Sequence, residues 1–256
     1  MTLPSTYQKL VALHPETGDL RTACSVETVD MVMPSAGEIL VKTHYTGVNA
    51  ADYLMSIGRY LSSSEPPFDL GAESVGEVVA VGEGVEHLAV GDAILSLMDG
   101  GFRDYFITKA RFAIPIPSAA PEVISLGVSG LTASIALDDT ANMKSGETVL
   151  VTAAAGGTGS MAVQLAKIAG CTVIGTCGND DKAAYLQSIG CDRPINYRSE
   201  DVKQVLKDEY PDGVDIVFEG VGGDMFDLAV KALAVHGRLL VIGAISEYEG
   251  GPQAVT

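Results

Sequence analysis

Residues 149–167, VLVTAAAGGTGSMAVQLAK, place a glycine-rich turn between an apolar run and an amphipathic run. This order predicts a strand, a tight turn and a helix, the context in which the glycine fingerprint of dinucleotide-binding proteins has meaning. Such a turn lets the backbone approach a pyrophosphate, and the helix N-terminus offers free N–H groups and a partial positive charge. The turn contains Ala154, Gly156, Gly157 and Gly159, with Ala in place of the first fingerprint Gly. We therefore predict a dinucleotide site, against the alternative of an ordinary strand-to-helix turn.

The second half of the chain, from residue 119, alternates apolar strands with amphipathic helices. The predicted strands are 147–154, 171–177, 193–197, 213–220 and 238–245. The predicted helices between them are 158–170, 180–190, 200–210 and 223–237. Because uninterrupted apolar strands that alternate with helices are buried on both faces, this pattern predicts an α/β fold with a doubly wound parallel sheet. A complete six-stranded sheet of this kind would have one more strand.

The first half has a different rhythm, with short apolar runs divided by glycines. YQKLVALH, GEILVKTHYTGVN and RDYFITKA each predict a strand, and GEGVEHLAVGD predicts a tight loop between two more. Pro115, Pro117 and Pro121 mark a linker, after which a helix is expected to begin. We therefore predict a β-rich domain of residues 1–118 and a nucleotide-binding domain of residues 119–256.

Composition limits the partners of the chain. The net charge of −17 argues against nucleic acid or an anionic membrane surface, because both require basic patches. No apolar stretch is long enough to span a bilayer, and the N-terminus lacks the basic flank and apolar core of a signal peptide. The four cysteines include no CxxC pair, which argues against zinc spacing and favours a reducing compartment. We expect a cytoplasmic protein with a small-molecule substrate and no membrane insertion.

Residues near the end of the second predicted strand are expected to select the cofactor. A site that prefers NAD usually places Asp or Glu there to bind the ribose 2′-hydroxyl, whereas this strand ends at Gly178. Lys182 and Tyr197 would suit a 2′-phosphate, although the alternatives are a solvated charge and a packing residue. Asp180 and Asp181 oppose a phosphate, but acids are also common as helix caps. The balance favours NADP, with NADPH as the reductant.

The pattern as a whole resembles the medium-chain dehydrogenase/reductase superfamily. AAAGGTG has the AxxGxxG form of its zinc-independent, quinone-oxidoreductase-like branch, and GVNAADYLMSIGRY followed by PPFDLGAESVGEVVAVGEGV is similar to the signature region of that branch. GCDRPINY and VDIVFEGVGGDMFDLAVKALAVHGRLLVIGAIS are most similar to the prostaglandin reductase 3 group of 15-oxoprostaglandin 13-reductases. The resemblance implies a GroES-like first domain, a Rossmann second domain and a homodimer for full-length relatives. It also implies a peroxisomal address in some of them.

Zinc-dependent members of the superfamily supply ligands that this chain lacks. A Cys and a His of those members are replaced here by residues 49–52 and Ala72, and their four-cysteine lobe is missing from residues 92–102. Zinc requires thiolate, imidazole or carboxylate ligands in a tetrahedral set, which Asp52 and Glu73 alone do not provide. We therefore predict no catalytic metal.

The resemblance implies NADPH-dependent reduction of the activated double bond of 2-enones. Hydride would pass to the β-carbon, while the developing enolate needs hydrogen-bond donors and the α-carbon needs a proton. Tyr60 matches a proposed proton donor of related enoyl reductases, and Asn49 matches a position near the nicotinamide; packing and turn roles are the alternatives. The further cofactor positions that the resemblance implies are Thr158, Gly220, Ile242 and Tyr248.

Two other functions stay open. NADPH quinone oxidoreductases use the same fold and cofactor, and a catalytically inactive, NADP-binding form is the alternative without turnover. The sequence ends soon after the fifth predicted strand, where relatives continue with another helix and strand and a tail that returns to the first domain. We therefore expect a C-terminally truncated product that lacks the last elements of its Rossmann domain.

Overall fold

The chain folds as two compact units, Met1–Val128 and Ser129–Thr256. The computed structural model describes residues 2–60 and 65–248. The division between the units follows Val128, whereas the proline-rich stretch predicts a domain boundary after residue 118, and that boundary stays a prediction. No helix in the described ranges is both long and apolar enough to cross a membrane.

The first unit is built on two antiparallel sheets. Its strands are β1 (Thr6–Ala12), β2 (Cys24–Asp30), β3 (Glu38–Thr46), β4 (Phe68–Asp69), β5 (Glu73–Val81), β6 (Ala93–Leu97), β7 (Tyr105–Lys109) and β8 (Ile114–Ile116). One sheet has the order β2-β1-β4 and the other has the order β7-β3-β5-β6-β8. The predicted β-rich domain is confirmed.

Alternate residues of the larger sheet form the core of the first unit. The buried side chains that pack together from its strands are Ile39, Val41, Val78, Ile94 and Phe106. This follows from the two-residue period of a strand, which turns every second side chain to the same face. The helices of this unit are α1 (Leu20–Ala23), α2 (Ala50–Ser56) and α3 (Pro121–Ile124). α3 begins at Pro121 itself, where the missing N–H of proline has no acceptor to lose.

The second unit is a parallel sheet covered by helices. Its strands are β9 (Thr148–Val151), β10 (Thr172–Cys177), β11 (Arg193–Asn196), β12 (Val214–Glu219) and β13 (Leu233–Val241). Its helices are α4 (Leu131–Ser134), α5 (Gly157–Ile168), α6 (Asp180–Ser188), α7 (Val202–Glu209) and α8 (Gly223–Lys231). Val149 and Val151 of β9 pack into one core cluster and Leu150 packs into another. The central strand is therefore buried on both faces, as its continuous apolar run predicts.

The strand order places the direction change of the sheet beside β9. The order is β11-β10-β9-β12-β13, with every pair parallel. The chain runs outward from β9 through β10 to β11, and then returns to the other side of β9 for β12 and β13. Ligands of doubly wound sheets bind at such a switch point, beyond the carboxyl ends of the strands. The predicted doubly wound Rossmann fold is confirmed.

The last predicted helix is too long. The sequence pattern predicts a helix through Gly237, but α8 ends at Lys231 and β13 begins at Leu233. The backbone N–H of Val214 donates to the carbonyl of Ala232 at 2.8 Å, which draws the chain into the sheet. The register shifts along this pair, from Val214 opposite Leu233 to Ile216 opposite Arg238. A short apolar run fits a helix and a strand equally well, so periodicity alone could not decide it.

Candidate functional site

The glycine-rich turn joins β9 to α5 with close backbone contact. A Cβ on Gly159 would lie 2.5 Å from the carbonyl oxygen of Ala153 and 2.8 Å from the Cα of Ala154. Since both neighbours are backbone, no side chain fits at position 159. This is the close packing of helix against strand that the last fingerprint glycine permits.

The alanine that replaces the first fingerprint glycine has a matching space in the neighbouring strand. Ala154 is fully buried, and a Cβ on Gly175 of β10 would lie 2.9 Å from the Cβ of Ala154. The methyl group of Ala154 therefore uses the space that Gly175 leaves open. The departure from the glycine fingerprint is compensated one strand away.

The N-terminus of α5 is open to an anion. Gly156 is the N-cap of this 12-residue helix, and its first turn has no acidic residue. The first N–H groups of a helix have no acceptor within it and carry the positive end of the helix dipole. A Cβ on Gly157 would lie 3.1 Å from the Ser129 hydroxyl, which is 3.4 Å from the hydroxyl of Thr158. Bare glycines, the N–H groups of the first turn of α5 and two hydroxyls fit a pyrophosphate.

The ends of β10 and β11 bring two predicted cofactor residues together. A Cβ on Gly178 would lie 2.6 Å from the Tyr197 hydroxyl, so these residues are in direct contact. Lys182 makes no ion pair with any described residue. The side-chain amide of Asn196 donates to the carboxylate of Asp180 at 2.7 Å. Asp180, one of the two acids that oppose a phosphate at this position, is therefore already hydrogen-bonded within the protein.

The remaining predicted cofactor residues follow β12 and β13. The backbone N–H of Gly220 donates to the hydroxyl of Thr152 at 2.9 Å, and that of Ile242 donates to the carbonyl of Glu219 at 2.7 Å. The Tyr248 hydroxyl accepts from the backbone N–H of Ala244 at 3.3 Å. Gly220 and Ile242 directly follow their strands, at the edge of the sheet where the glycine-rich turn leaves β9. Their contacts to a cofactor stay predictions.

Two polar residues at the switch point have no place among the predicted site residues. Thr152 directly follows β9 and Glu219 ends β12, and both are buried, 2% and 0% exposed. The hydroxyl of Thr152 is 3.2 Å from a carboxylate oxygen of Glu219. In the sequence, a polar residue at the end of each apolar strand is the signal that could have pointed to them. Only the strand order shows that β9 and β12 are neighbours, so the sequence does not pair the two residues.

The predicted catalytic residues lie in the first unit. Asn49 precedes α2, and its side-chain amide donates to the carboxylate of Glu73 at 2.9 Å. Its backbone N–H donates to the carboxylate of Asp52 at 2.7 Å. Tyr60 is 54% exposed, and its hydroxyl makes no hydrogen bond with a described residue. Asn49 is thus held in place and Tyr60 is accessible, while their catalytic roles stay predictions.

Asp52 and Glu73 are the two carboxylates next to the positions where zinc-dependent relatives have ligands, and both accept hydrogen bonds from other residues of this chain. Burial raises the pKa of the Asp52 carboxyl, which accepts the backbone N–H groups of Asn49 and Ala72. Glu73 accepts from the Asn49 amide and, at 2.6 Å, from the N–H of Val128. Across residues 2–60 and 65–248, no group of three His, Cys, Asp or Glu side chains is placed to hold a metal ion. This donor set does not fit tetrahedral zinc.

A cavity of about 800 Å³ lies elsewhere in the second unit. It is lined by residues of α7, α8 and the start of β13, among them Leu206, Tyr210 and Leu233. None of the predicted cofactor residues lines it. Because it adjoins the amino ends of β12 and β13, it is not where a doubly wound sheet binds its dinucleotide.

Two family descriptions match the chain. Residues 35–118 match the alcohol dehydrogenase GroES-like domain, and residues 157–254 match zinc-binding dehydrogenase. The second description names a metal for which residues 2–60 and 65–248 supply no fitting ligand set. The two matches correspond to the predicted pair of a GroES-like domain and a Rossmann domain.

Known oxidoreductases are similar over nearly the whole chain. Prostaglandin reductase-3 of Mus musculus is 53% identical over 96% of this chain, which covers 66% of that protein. A probable quinone oxidoreductase of Leishmania amazonensis is 44% identical over 98% of this chain and 74% of its own length. A mycobacterial protein solved in complex with NADPH has a TM-score of 0.82 and 32% identity, covering 98% of this chain and 76% of that one.

Proposed function

The chain belongs to the medium-chain dehydrogenase/reductase family of oxidoreductases, and from this premise we propose that it reduces the activated double bond of 2-enones with NADPH. The proposed substrate class is 15-oxoprostaglandins and related enones, in keeping with the similarity to prostaglandin reductase-3. The observation that carries the proposal is the turn between β9 and α5. It combines close backbone packing at Gly159 with an unpaired helix N-terminus at the switch point.

The surroundings of Gly178 support NADP as the cofactor. No acid ends β10, where a site that prefers NAD usually has one for the ribose 2′-hydroxyl. The nearby Asp180 is bonded to Asn196, while Lys182 has no ionic partner among the described residues and the Tyr197 hydroxyl touches Gly178. A free ammonium and a hydroxyl match the charge and the hydrogen-bonding needs of a 2′-phosphate.

The chain has groups for each task of the proposed reaction. When bound, the reduced nicotinamide supplies a hydride. The first turn of α5, which begins at Gly157, would hold the pyrophosphate by its N–H groups, and the hydroxyl of Tyr60 would give its proton to the substrate α-carbon. Asn49 would meet the substrate or nicotinamide with an amide whose nitrogen is fixed by Glu73. A carboxylate only accepts, so the amide nitrogen must face it.

NADPH consumption by the purified chain tests this proposal against a panel of a 15-keto prostaglandin, a short enone and a quinone. We expect turnover of both enones and a large loss of kcat in Tyr60→Phe. The matched control is Tyr185→Phe, because Tyr185 is a similarly exposed tyrosine on α6. Full turnover by Tyr60→Phe would mean that the proton comes from elsewhere.

A quinone reductase is the second candidate, which the similarity to the Leishmania protein favours. Turnover of the quinone without either enone would select it. Tight NADPH binding by calorimetry with no oxidation in any assay would select an inactive, NADP-binding protein. No NADPH binding at all would remove all three functions.

A further inference from the structure

Glu219 is a buried carboxylate at the centre of the switch point. It is 0% exposed. One of its oxygens accepts the backbone N–H of Val221 at 2.8 Å, the N–H of Gly222 at 3.1 Å and the Thr152 hydroxyl at 3.2 Å. Each of these partners donates a hydrogen bond to the Glu219 carboxylate.

No cation offsets this charge within the described residues. None of the ion pairs that they form includes Glu219. A buried charge without an ionic partner is costly, and hydrogen bonds to neutral groups repay only part of the cost. A neutral glutamine could accept these hydrogen bonds as well. Val221 and Thr152 both donate to the same oxygen, which the amide of a glutamine also has, and Gly222 is within reach of either oxygen. The contacts among the described residues therefore do not explain why position 219 has a carboxylate rather than an amide.

The position of Glu219 in the sheet indicates a use for the carboxylate. In a doubly wound sheet the adenosine ribose lies at the end of the second strand, which here is the β10 side with Gly178. The nicotinamide half then lies across the switch point, beyond the ends of β12 and β13. Glu219 is the last residue of β12, and the next residue, Gly220, is a predicted cofactor contact.

We infer that the Glu219 carboxylate stabilises the oxidised nicotinamide relative to the reduced one. Hydride donation takes two electrons and a hydrogen nucleus from C4 of the neutral dihydronicotinamide and leaves a pyridinium cation. The hydride bonds to the β-carbon of the enone, and a proton completes the saturated ketone at the α-carbon. A fixed negative charge lowers the free energy of the cationic form only, so Glu219 favours the direction of reduction. This inference rests on the proposed function for the identity of the cofactor.

The test is the ratio of two dissociation constants. In Glu219→Gln we expect the Kd for NADP+ to rise about tenfold more than the Kd for NADPH, measured by calorimetry. Tenfold corresponds to about 1.4 kcal/mol. This is the interaction energy of two unit charges roughly 12 Å apart in an effective dielectric of about 20. The carboxylate therefore does not need to touch the ring. Glu219→Ala, whose cavity admits water as a partner for the N–H groups, is a second neutral variant with the same expected ratio.

Thr152→Val is the matched control. It breaks the same network, by removing the hydroxyl that donates to Glu219 and accepts from Gly220, but it leaves the charge in place. We expect it to weaken both cofactor forms to the same extent. Binding of 2′,5′-ADP, which has no nicotinamide, should be unchanged in Glu219→Gln and shows that the turn at α5 is intact.

An unchanged NADP+ to NADPH ratio in a folded neutral variant would overturn the inference, as would an equal change of ratio in Thr152→Val. Wild-type protein that binds both cofactor forms but reduces no enone would contradict the proposed function, while the ratio of dissociation constants could still be measured and would still test the role of Glu219. Wild-type protein that binds neither form would overturn both.

Discussion

A methyl group added at Gly175 should collide with the methyl group of Ala154, the residue that stands in place of the first fingerprint glycine. The Cβ of Gly175→Ala would lie 2.9 Å from the Cβ of Ala154, and 3.1 Å from the sulfur of Cys191. Carbon atoms in contact normally lie about 3.5 to 4.0 Å apart, so the methyl groups would be too close by about 0.6 Å or more. All three residues are buried, which leaves little room for relaxation.

The expected cost follows from this overlap. Overpacking of a buried site typically destabilises by about 1–3 kcal/mol, and we expect Gly175→Ala to fall in that range. Ala154→Gly removes a buried methyl, about 0.8 kcal/mol, and frees the backbone for about 0.5–1 kcal/mol more. In the double variant the methyl group of residue 175 occupies the space that the methyl group of Ala154 leaves empty. Its cost should therefore be smaller than the sum of the single costs by about 1 kcal/mol or more.

Urea unfolding of the four proteins measures this coupling as a double-mutant cycle. The chain has no tryptophan, so far-ultraviolet circular dichroism is the suitable probe. Coincident transitions by circular dichroism and tyrosine fluorescence would establish two-state behaviour, which the comparison of free energies requires. If the single costs add to within about 0.5 kcal/mol, Ala154 and Gly175 do not share space and the explanation of the altered fingerprint is wrong.

Three more substitutions test the cofactor turn, the choice of NADP and an ion pair on β11. Gly159→Ala should weaken NADPH binding by more than about tenfold in calorimetry, because its Cβ meets backbone at 2.5 Å; an unchanged Kd would contradict this. Lys182→Ala should weaken NADPH by about tenfold more than NADH, whereas equal losses would argue against a 2′-phosphate contact. The hydrogen bond from Arg193 holds the pKa of Glu200 below its usual 4.5, so this stabilisation is present above that pH and is lost as pH falls through the lower, folded-state value. Arg193→Met should therefore flatten the acid limb of stability in urea unfolding, and a wild-type slope below about pH 4.5 would refute the assignment.

Much of the fold could be predicted because its signals are local. The apolar run of β9, the glycine-rich turn and α5 adjoin one another in the chain, so composition and periodicity suffice to place them. The same reasoning failed at the end of α8, where the backbone N–H of Val214 at the start of β12 donates to the carbonyl of Ala232, the residue between α8 and β13. Sequence periodicity does not record such a partner.

The candidate site divides in the same way. By itself the sequence placed the glycine-rich turn between β9 and α5 and showed that no acid stands at Gly178, and it predicted a dinucleotide site and no zinc ligand set. Only the tertiary structure decided that Gly175 makes room for Ala154, that Asn196 engages Asp180, and that Glu219 meets a hydroxyl 67 residues away. These contacts depend on strand order and register, which are set by the packing of the whole sheet and not by any local run of residues.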